Sequence, residues 1–342
     1  MIPHSKPWIT TADTAAVLDC LSSGLIGEGR ASVALEGALE KTFCADRAIA
    51  VGSGSQGLLL ALRSLNVNPG DEVIMPTYVC PEVLGVVESL GAAPVLSDVD
   101  ADYLASFRDI EQLCTTRTAA IVLPFLFGIK IDLPCFRSLK LPLIVDWAQY
   151  LPSRADRGHL NELTVLSFEA TKLIAAGEGG AVLASNKAAP SVAALKSING
   201  GTYKQNLYPL SDLQASLVTS QLARLDDMLQ RRRDIADRYF SQLRGVRQML
   251  LPDAIRDRSI FFRFPVQLGS NIDIDALIDR FAASGIAIRR PVDTMLHHLR
   301  SSSREFPKAE ECFLRTISLP LYPAMRDEDV EKVISVSREL LN

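Results

Sequence analysis

The sequence predicts an α/β fold: a doubly wound, mostly parallel central sheet flanked by helices, followed by a small α+β domain at the C-terminal end. Three observations predict it. Through the first half, short apolar runs alternate with segments of helical period, and strands separated by helices pair in parallel because a parallel neighbour needs a crossover. A glycine-rich turn, VGSGSQG at Val51–Gly57, joins the first run to the first helical stripe. After residue 210 the pattern changes to a long helical stripe, one alternating strand and a terminal helix. The 342 residues suit two domains at about 150 residues each. The expected division is a large domain over 1–225 and a small one over 226–342.

Arg47–Val51 (RAIAV) reads as the first strand, and Leu58, Leu59, Leu62 and Leu65 as the stripe of the helix after it. The turn NPGDE introduces a second strand, Glu72–Met75, and then a helix carrying Val83, Leu84, Val87 and Leu90. Further strands are Pro94–Leu96, Ala119–Pro124, Leu141–Val145, Thr164–Phe168 and Gly180–Ala184. One long helix begins near Ser211, carries Leu213, Leu217, Leu222, Leu225, Leu229, Ala236 and Tyr239, and bridges the two domains. In its run Arg231–Arg233, Asp227 lies four residues before Arg231 and Asp234 four before Arg238, the spacing of ion pairs on a solvated face. Phe262, Phe264, Val266 and Leu268 alternate as a strand, and Val330, Val333, Ile334 and Leu341 mark the terminal helix.

Composition excludes several classes. Hydrophobic residues make up 48% and charged residues 22%, near the globular average. A formal net charge of −4 leaves no basic field to hold a polyanion, so nucleic acid is not an expected partner. No apolar run is long enough to cross a bilayer, and MIPHSKPWITT has no apolar core for a signal peptide, so a cytoplasmic protein away from membranes is expected. The six cysteines are scattered without a CxxC pair, and the four histidines show no metal-ligand spacing. Reduced thiols and no bound metal are expected.

Gly52, Gly54 and Gly57 fit the dinucleotide pattern G-x-G-x-x-G between a strand and a helix, and they also fit a purely structural turn. A dinucleotide site wants an acid at the end of the next strand to hold the ribose. Here Asp71 and Glu72 precede that strand. Ser53 and Ser55, at the helix N-terminus, favour a single phosphate monoester instead. Asp146 follows the apolar strand Leu143–Val145 and leads into Trp147, Ala148 and Gln149, at the strand edge where open α/β sheets bind ligands. TVLSF runs into Glu169–Lys172 and the glycine cluster Gly177–Gly180, so Lys172, which alone would read as a surface lysine, sits in a glycine-rich loop among strand ends. A phosphate cup, an acid at a strand end and a loop lysine together suit pyridoxal 5'-phosphate (PLP). Lysine forms the Schiff base, the carboxylate keeps the pyridine nitrogen protonated, and the helix N-terminus holds the phosphate. Nicotinamide chemistry needs no such lysine.

With these residues in place, the sequence resembles the DegT/StrS-like, fold-type I PLP-dependent aminotransferases that act mostly on nucleotide-linked keto sugars. The resemblance runs through GLIGEG, VGSGSQGLLLALRSLNVNPGDEVIMPTYVC, GAAPVLSDVD, VDWAQ, SFEATKLIAAGEGGAVL, LQASLVTSQLARLDDMLQRRRDIADRY and SLPLYPAMRDEDVEKVI. It implies a large PLP domain, a small C-terminal domain, and a homodimer with active sites at its interface. It further implies an amino-acid donor, L-glutamate, and a keto-sugar acceptor. Lys172 resembles the Schiff-base lysine, Asp146 the partner of the pyridine nitrogen, and Gln149 the donor to the phenolic oxygen. Gly54, Ser55 and Ser167 resemble the phosphate cup, and Tyr78 or Cys80 falls where a ring covers the cofactor, with Tyr78 favoured because a thiol cannot stack. Asn206 stands one place off the register of an asparagine that reaches the partner subunit's phosphate. Trp147 replaces a commonly small residue and is expected to narrow the site, while Arg289 and Arg290 fall near the substrate mouth, where a diphosphate contact is possible. Relatives that act as dehydratases carry histidine in place of the lysine, so Lys172 places the chain with the aminotransferases. The chain is short for the family, which implies trimmed sugar-binding loops and leaves room for a smaller substrate. Two rival readings are an NAD-linked oxidoreductase using Gly52, Gly54 and Gly57, and a regulatory protein that binds PLP without turnover.

Overall fold

The central sheet has seven strands in the order β1-β7-β6-β5-β4-β2-β3. They are β1 (Arg47–Val51), β2 (Glu72–Pro76), β3 (Ala93–Ser97), β4 (Thr118–Pro124), β5 (Leu143–Asp146), β6 (Leu163–Ser167) and β7 (Gly180–Ala184). This computed structural model describes the chain apart from residues 159, 161, 186, 187, 189, 190, 193–196, 201, 202, 207 and 301, with backbone alone over 197–200 and 203–206. Four pairings, β2 with β3, β2 with β4, β4 with β5 and β5 with β6, are parallel. The exception is β7, antiparallel to both β6 and β1. No helix lies between β6 and β7. Without a crossover the chain can only turn back, so β7 reverses and closes the row onto β1.

Alternate residues of each strand enter different cores, as the two-residue period of a strand requires. Ile49, Val51, Val73, Met75, Val122, Ile144 and Val165 meet the helices Gly54–Ser64 and Pro81–Ser89 on one face. Ala48, Ala50, Ile74, Ile121, Leu123, Val145 and Leu166 meet the helices Arg30–Phe43 and Asp212–Leu222 on the other. Coverage on both faces explains why the strands read as continuous apolar runs. In the first sheet-facing helix the buried set is Leu58, Leu60, Ala61 and Leu62, whereas Leu59 and Leu65 stay partly exposed.

The long helix expected from Ser211 is two helices, Asp212–Leu222 and Leu225–Leu243. Arg224 marks the break. Its guanidinium reaches the buried carboxylate of Asp13 at 2.5 Å, accepts no helical backbone geometry (φ −115°, ψ 21°) and lies over the Trp8 ring at 5.1 Å. The first segment belongs to the large core. Asp212 there accepts N–H groups from Gly29, Ala31 and Ser32 at 2.8, 3.1 and 2.9 Å and the Ser32 hydroxyl at 2.6 Å, fastening the start of helix Arg30–Phe43. Burial opposes ionisation of Asp212, but the Ser32 hydroxyl and these N–H groups outweigh it and hold the carboxyl below its usual range. Asp212→Ala is expected to cost about 2 kcal/mol in denaturant unfolding at pH 7. Because the folded carboxyl is the stronger acid, that contribution is present above the unfolded carboxyl's pKa and disappears as pH falls through the folded one.

The second segment carries Ile235, Ala236, Tyr239, Phe240 and Leu243 into a separate core with Phe264, Val266, Leu268, Val330, Val333 and Ile334. That core is built on a small antiparallel sheet, β10 (Met249–Leu250), β11 (Phe264–Leu268) and β12 (Thr316–Leu319), and on the helices Ile274–Ala283 and Asp327–Leu341. The run Arg231–Arg233 is not the solvated face that its spacing suggests. Arg231 pairs with Asp327 and the Met325 carbonyl, each at 2.8 Å, and Arg238 pairs with Asp327 at 2.8 Å. Arg232 is buried and donates to the carbonyls of Phe261, Phe262 and Leu321 at 3.1, 3.3 and 3.0 Å. Charge spacing along one helix cannot disclose that other elements pack over the same face, and these arginines are the seam between them.

A two-stranded ribbon, β8 (Ser197–Gly200) and β9 (Tyr203–Asn206), stands apart from both sheets. Among the described residues no helix is long and apolar enough to cross a membrane.

Candidate active site

The C-terminal ends of β5 and β6, the start of helix Gly54–Ser64 and a stretch of the C-terminal region enclose a cavity of about 500 Å³. That volume suits a cofactor-sized ligand. Helix Gly54–Ser64 starts there because Ser53, in extended conformation, caps it by accepting the Gln56 N–H at 3.1 Å. The first-turn N–H groups of Gly54 and Ser55 have no acceptor within the helix, and both residues line the cavity. Glycine is required at 54. A Cβ there would lie 2.9 Å from the Ser167 Cβ, so any side chain would push the helix start off β6. At Gly180 a Cβ would meet the Gly54 nitrogen and the Leu166 oxygen at 2.7 Å, so β7 passes equally close beneath.

Asp146 ends β5, and one of its oxygens accepts the Ala148 N–H at 2.8 Å. It keeps a small accessible surface through the cavity but is surrounded by protein. This burial raises its carboxyl above the usual range, partly offset by the Ala148 N–H and by the charge of Lys172. Gln149 also lines the cavity, and its oxygen accepts the Phe127 N–H at 2.8 Å. With the oxygen committed, the amide NH₂ remains as a donor. Ser167 ends β6 on the same wall. Lys172 follows in the loop, its N–H donating to the Glu169 carbonyl at 2.9 Å and its Nζ lying 5.9 Å from the centre of the Phe262 ring. Six of the residues expected from sequence, Gly54, Ser55, Asp146, Gln149, Ser167 and Lys172, therefore share one cavity.

Other expectations need correction. Tyr78 does not line the cavity. It is 1% exposed, stacked near Tyr103 at 6.4 Å and perpendicular to Phe127 at 6.2 Å, inside the large core. The chain leaves β2 at Pro76 and bends, so strand alternation no longer says which side Tyr78 faces, and Cys80 is the residue that reaches the cavity. Burial, then the charge of Asp146, push the Cys80 thiol up to about 12, with Lys172 opposing, so Cys80 stays protonated at neutral pH. Trp147 does not narrow the site either. It packs against Phe43, Phe125 and Tyr150 while its neighbours Asp146 and Ala148 face the cavity. Asn206 pairs with Ser197 at the end of β9, and its side chain lies outside the described residues. Arg289 lines the cavity, whereas Arg290 pairs with Asp275 and covers the Phe313 ring.

Glu72 lies at the opposite end of β2 from the cavity, where it accepts the Thr115 hydroxyl at 2.5 Å and pairs with Arg117. No ribose in the cavity could reach it. Two groupings join residues that no local spacing in the sequence connects. Arg263, Glu169 and Asp293 join the cavity wall from segments far apart in the chain. His297 and His298 place their Nε2 atoms 3.0 and 2.9 Å from one oxygen of Glu310, while His297 Nδ1 meets the Thr77 hydroxyl at 2.7 Å. That cluster fastens helix Leu296–Leu299 to the end of β2.

The donor set can meet a phosphate monoester at the helix start, a protonated ring nitrogen at Asp146, an anionic oxygen at the Gln149 amide and a carbonyl carbon at Lys172. Pyridoxal phosphate carries all four groups, so the residues present fit it. Gly54→Ala, which would fill the cradle, is expected to weaken PLP retention and cost about 1–3 kcal/mol of stability. Cofactor titration and thermal unfolding check both.

Comparison with known proteins agrees with this geometry. Residues 7–337 match the model of the DegT/DnrJ/EryC1/StrS aminotransferase family. The spore coat polysaccharide biosynthesis protein SpsC of Bacillus subtilis is 28% identical over 380 residues, covering 99% of this chain and 97% of that protein. The aminotransferase TlmJ of Streptoalloteichus hindustanus superposes with a TM-score of 0.89 at 27% identity, covering 100% of this chain and 99% of the other. The PLP form of Spr1654 from Streptococcus pneumoniae superposes with a TM-score of 0.86 at 27% identity, covering both chains fully at 100%.

Proposed function

The chain belongs to the DegT/DnrJ/EryC1/StrS aminotransferase family, and from that premise we propose that it moves an amino group from L-glutamate to a nucleotide-linked keto sugar. The chain is a PLP-dependent sugar aminotransferase. The observation that carries amino transfer is the convergence of the Lys172 amine, the Asp146 carboxylate and the serine–glycine helix start on one cavity, while the donor and the acceptor are proposed from the family resemblance.

When bound, PLP supplies an aldehyde carbon that exchanges amino groups and a ring that accepts the electron pair left at the substrate's Cα. In this reading Lys172 holds the cofactor covalently, is released by the incoming amine, and then acts through Nζ as a general base. It would take the proton from the donor's Cα and, as a general acid, deliver it to the former aldehyde carbon rather than back to Cα. Asp146, steadied by the Ala148 N–H, keeps the proton on the ring nitrogen, and Gln149 donates its amide N–H to the ring's phenolic oxygen. The N–H groups of Gly54 and Ser55 and the hydroxyls of Ser55 and Ser167, all on the cavity wall, would hold the phosphate. Run forward on the amino acid and then in reverse on the ketone, these steps make a ping-pong cycle.

We further propose that the boundary between the two domains falls after residue 225, at the start of helix Leu225–Leu243, along which packing passes from the large core at Leu225 and Leu229 to the small core from Ile235 onward. The working unit in this reading is a homodimer in the cytoplasm, with Asn206 on the β8–β9 ribbon reaching the partner subunit's phosphate. Against the NAD-linked rival, the acid that a dinucleotide site wants at the end of β2 is not there, since β2 ends in Met75–Pro76 and Glu72 stands at its other end. The regulatory rival is separated by experiment. Near-visible absorption of the PLP-loaded protein is followed on adding L-glutamate, and amination of nucleotide-linked keto sugars by mass spectrometry. The expected result is bleaching of the cofactor band and a sugar product one amino group richer. No spectral change with L-glutamate overturns the donor assignment, and bleaching without any sugar product overturns the acceptor.

A further inference from the structure

His4 is 3% exposed although it stands near the chain start. The N-terminal segment is clipped to the small domain by Ile2, whose N–H donates to the Gly285 carbonyl at 2.8 Å and whose carbonyl accepts the Ala287 N–H at 2.9 Å. This brings His4 Nδ1 to 2.7 Å from Arg263 Nη1 and His4 Nε2 to 3.0 Å from the Ser318 hydroxyl. A guanidinium offers only donors, so Nδ1 is the acceptor and the ring is neutral, with its proton on Nε2. Burial, Arg263 and Arg289 all hold the imidazole well below its ordinary pKa, in the same sense. Ser318 lies on β12, paired with β11, and its N–H donates to the Arg289 carbonyl at 2.8 Å. One serine thus ties His4 and the Arg289 backbone to a rigid sheet.

Both arginines line the cavity. Arg263 Nε is buried with no hydrogen-bond partner. Burial, then the charge of Arg289, lower the Arg263 guanidinium to about 10, with Asp293 and Glu169 on the same wall opposing, and among the described residues neither acid comes within ion-pair distance. The guanidinium is therefore a partly buried cation whose donors are not used up. Its carbon lies 4.9 Å from the centre of the Phe262 ring, and Lys172 Nζ lies 5.9 Å from that centre. An anion on Arg263 would therefore share the cavity with the reacting nitrogen of Lys172, the two being gathered around one aromatic ring. An amino acid carries a carboxylate one bond from its reacting carbon, whereas a sugar diphosphate sits on a different carbon of the ring from the ketone.

We propose that Arg263 and Arg289 form a subsite for a carboxylate of the amino donor, and that His4 is the positioning residue that holds Arg263 in it. This deepens the aminotransferase reading and rests on it. The neutral imidazole directs the guanidinium without competing for the anion, as a carboxylate partner would. The held guanidinium of Arg263 matches the planar, bidentate demand of a carboxylate, and Arg289 adds a second positive charge on the same cavity wall.

The test uses the PLP-loaded protein and two probes, glutarate as a dicarboxylate that cannot react and UDP as a diphosphate, each titrated by calorimetry. Arg263→Gln is expected to weaken glutarate binding about tenfold to a hundredfold, and His4→Ala about tenfold, with UDP changed less than about twofold. His4→Asn, whose amide oxygen can replace Nδ1 as acceptor, should recover most of the loss, and the KM for L-glutamate should follow glutarate while kcat moves less. Absence of glutarate binding to the wild-type protein, or unchanged glutarate binding in Arg263→Gln, overturns the subsite. Weakened UDP with unchanged glutarate assigns the arginines to phosphate and overturns the carboxylate. Loss of binding in His4→Ala that His4→Asn does not recover removes the positioning role. The aminotransferase reading is judged separately, on bleaching of the wild-type cofactor band by L-glutamate.

Discussion

Replacing Lys172 with alanine is expected to lower turnover at least about 10⁴-fold, because the same amine serves as covalent anchor and as proton carrier. Among the described residues that line the cavity there is no second lysine to take over the covalent link. Cys80, the other nucleophile on that wall, is held protonated by its burial and by Asp146, with its pKa near about 12. Arg263, lowered to about 10 by burial and by the charge of Arg289, still keeps its proton at neutral pH and cannot act as a base there. The protein itself should survive the change, since Lys172 stands in a loop and is only partly buried. Unfolding should shift by less than about 0.5 kcal/mol. The measurement is a single turnover with L-glutamate together with thermal unfolding. Residual turnover within about tenfold of wild type, in a folded protein, would remove Lys172 from the chemistry.

Asp146→Asn is expected to separate function from stability. The substitution keeps an oxygen for the Ala148 N–H but removes the charge that holds a proton on the ring nitrogen, so turnover should fall about 10²- to 10⁴-fold. Stability should move the other way. Burial raises the Asp146 carboxyl above its usual range, so in the cofactor-free protein the folded state holds the proton more tightly than the unfolded chain does. Stability from this group then falls as pH rises from the unfolded pKa through the folded one, and at neutral pH the buried charge is a burden. Cofactor-free Asp146→Asn should unfold at the same temperature as wild type or higher at pH 7, and the difference should shrink in acid. A variant that loses both activity and stability would mean that Asp146 serves the fold rather than the cofactor.

Much of this molecule is legible in local sequence because strands, their ends and their turns are local objects. RAIAV, EVIMP, TAAIVLP and LIVD become strands where their apolar runs stand. Asp146, Ser167 and the Gly54–Ser55 turn meet because parallel strands deliver their C-terminal ends to one edge. Lys172 needed only the short loop after β6 to join them. The misread residues are those whose surroundings come from elsewhere. Tyr78 and Trp147 are aromatic rings beside the site in sequence, and each turned away because a hydrophobic cluster of remote residues stood on its other side.

By itself, then, the sequence determined the α/β architecture, the cofactor chemistry and six residues of the cavity. In each case the decisive interaction lies within a strand, a turn or a helix start. Only the tertiary structure decided that β7 runs backwards, that the long helix breaks at Arg224, that Arg232 is buried among carbonyls, and that His4 reaches Arg263 across the fold. Those outcomes depend on contacts between residues far apart in the chain, whose free energy exists only once the chain has closed on itself, and no periodicity or spacing in the sequence records them.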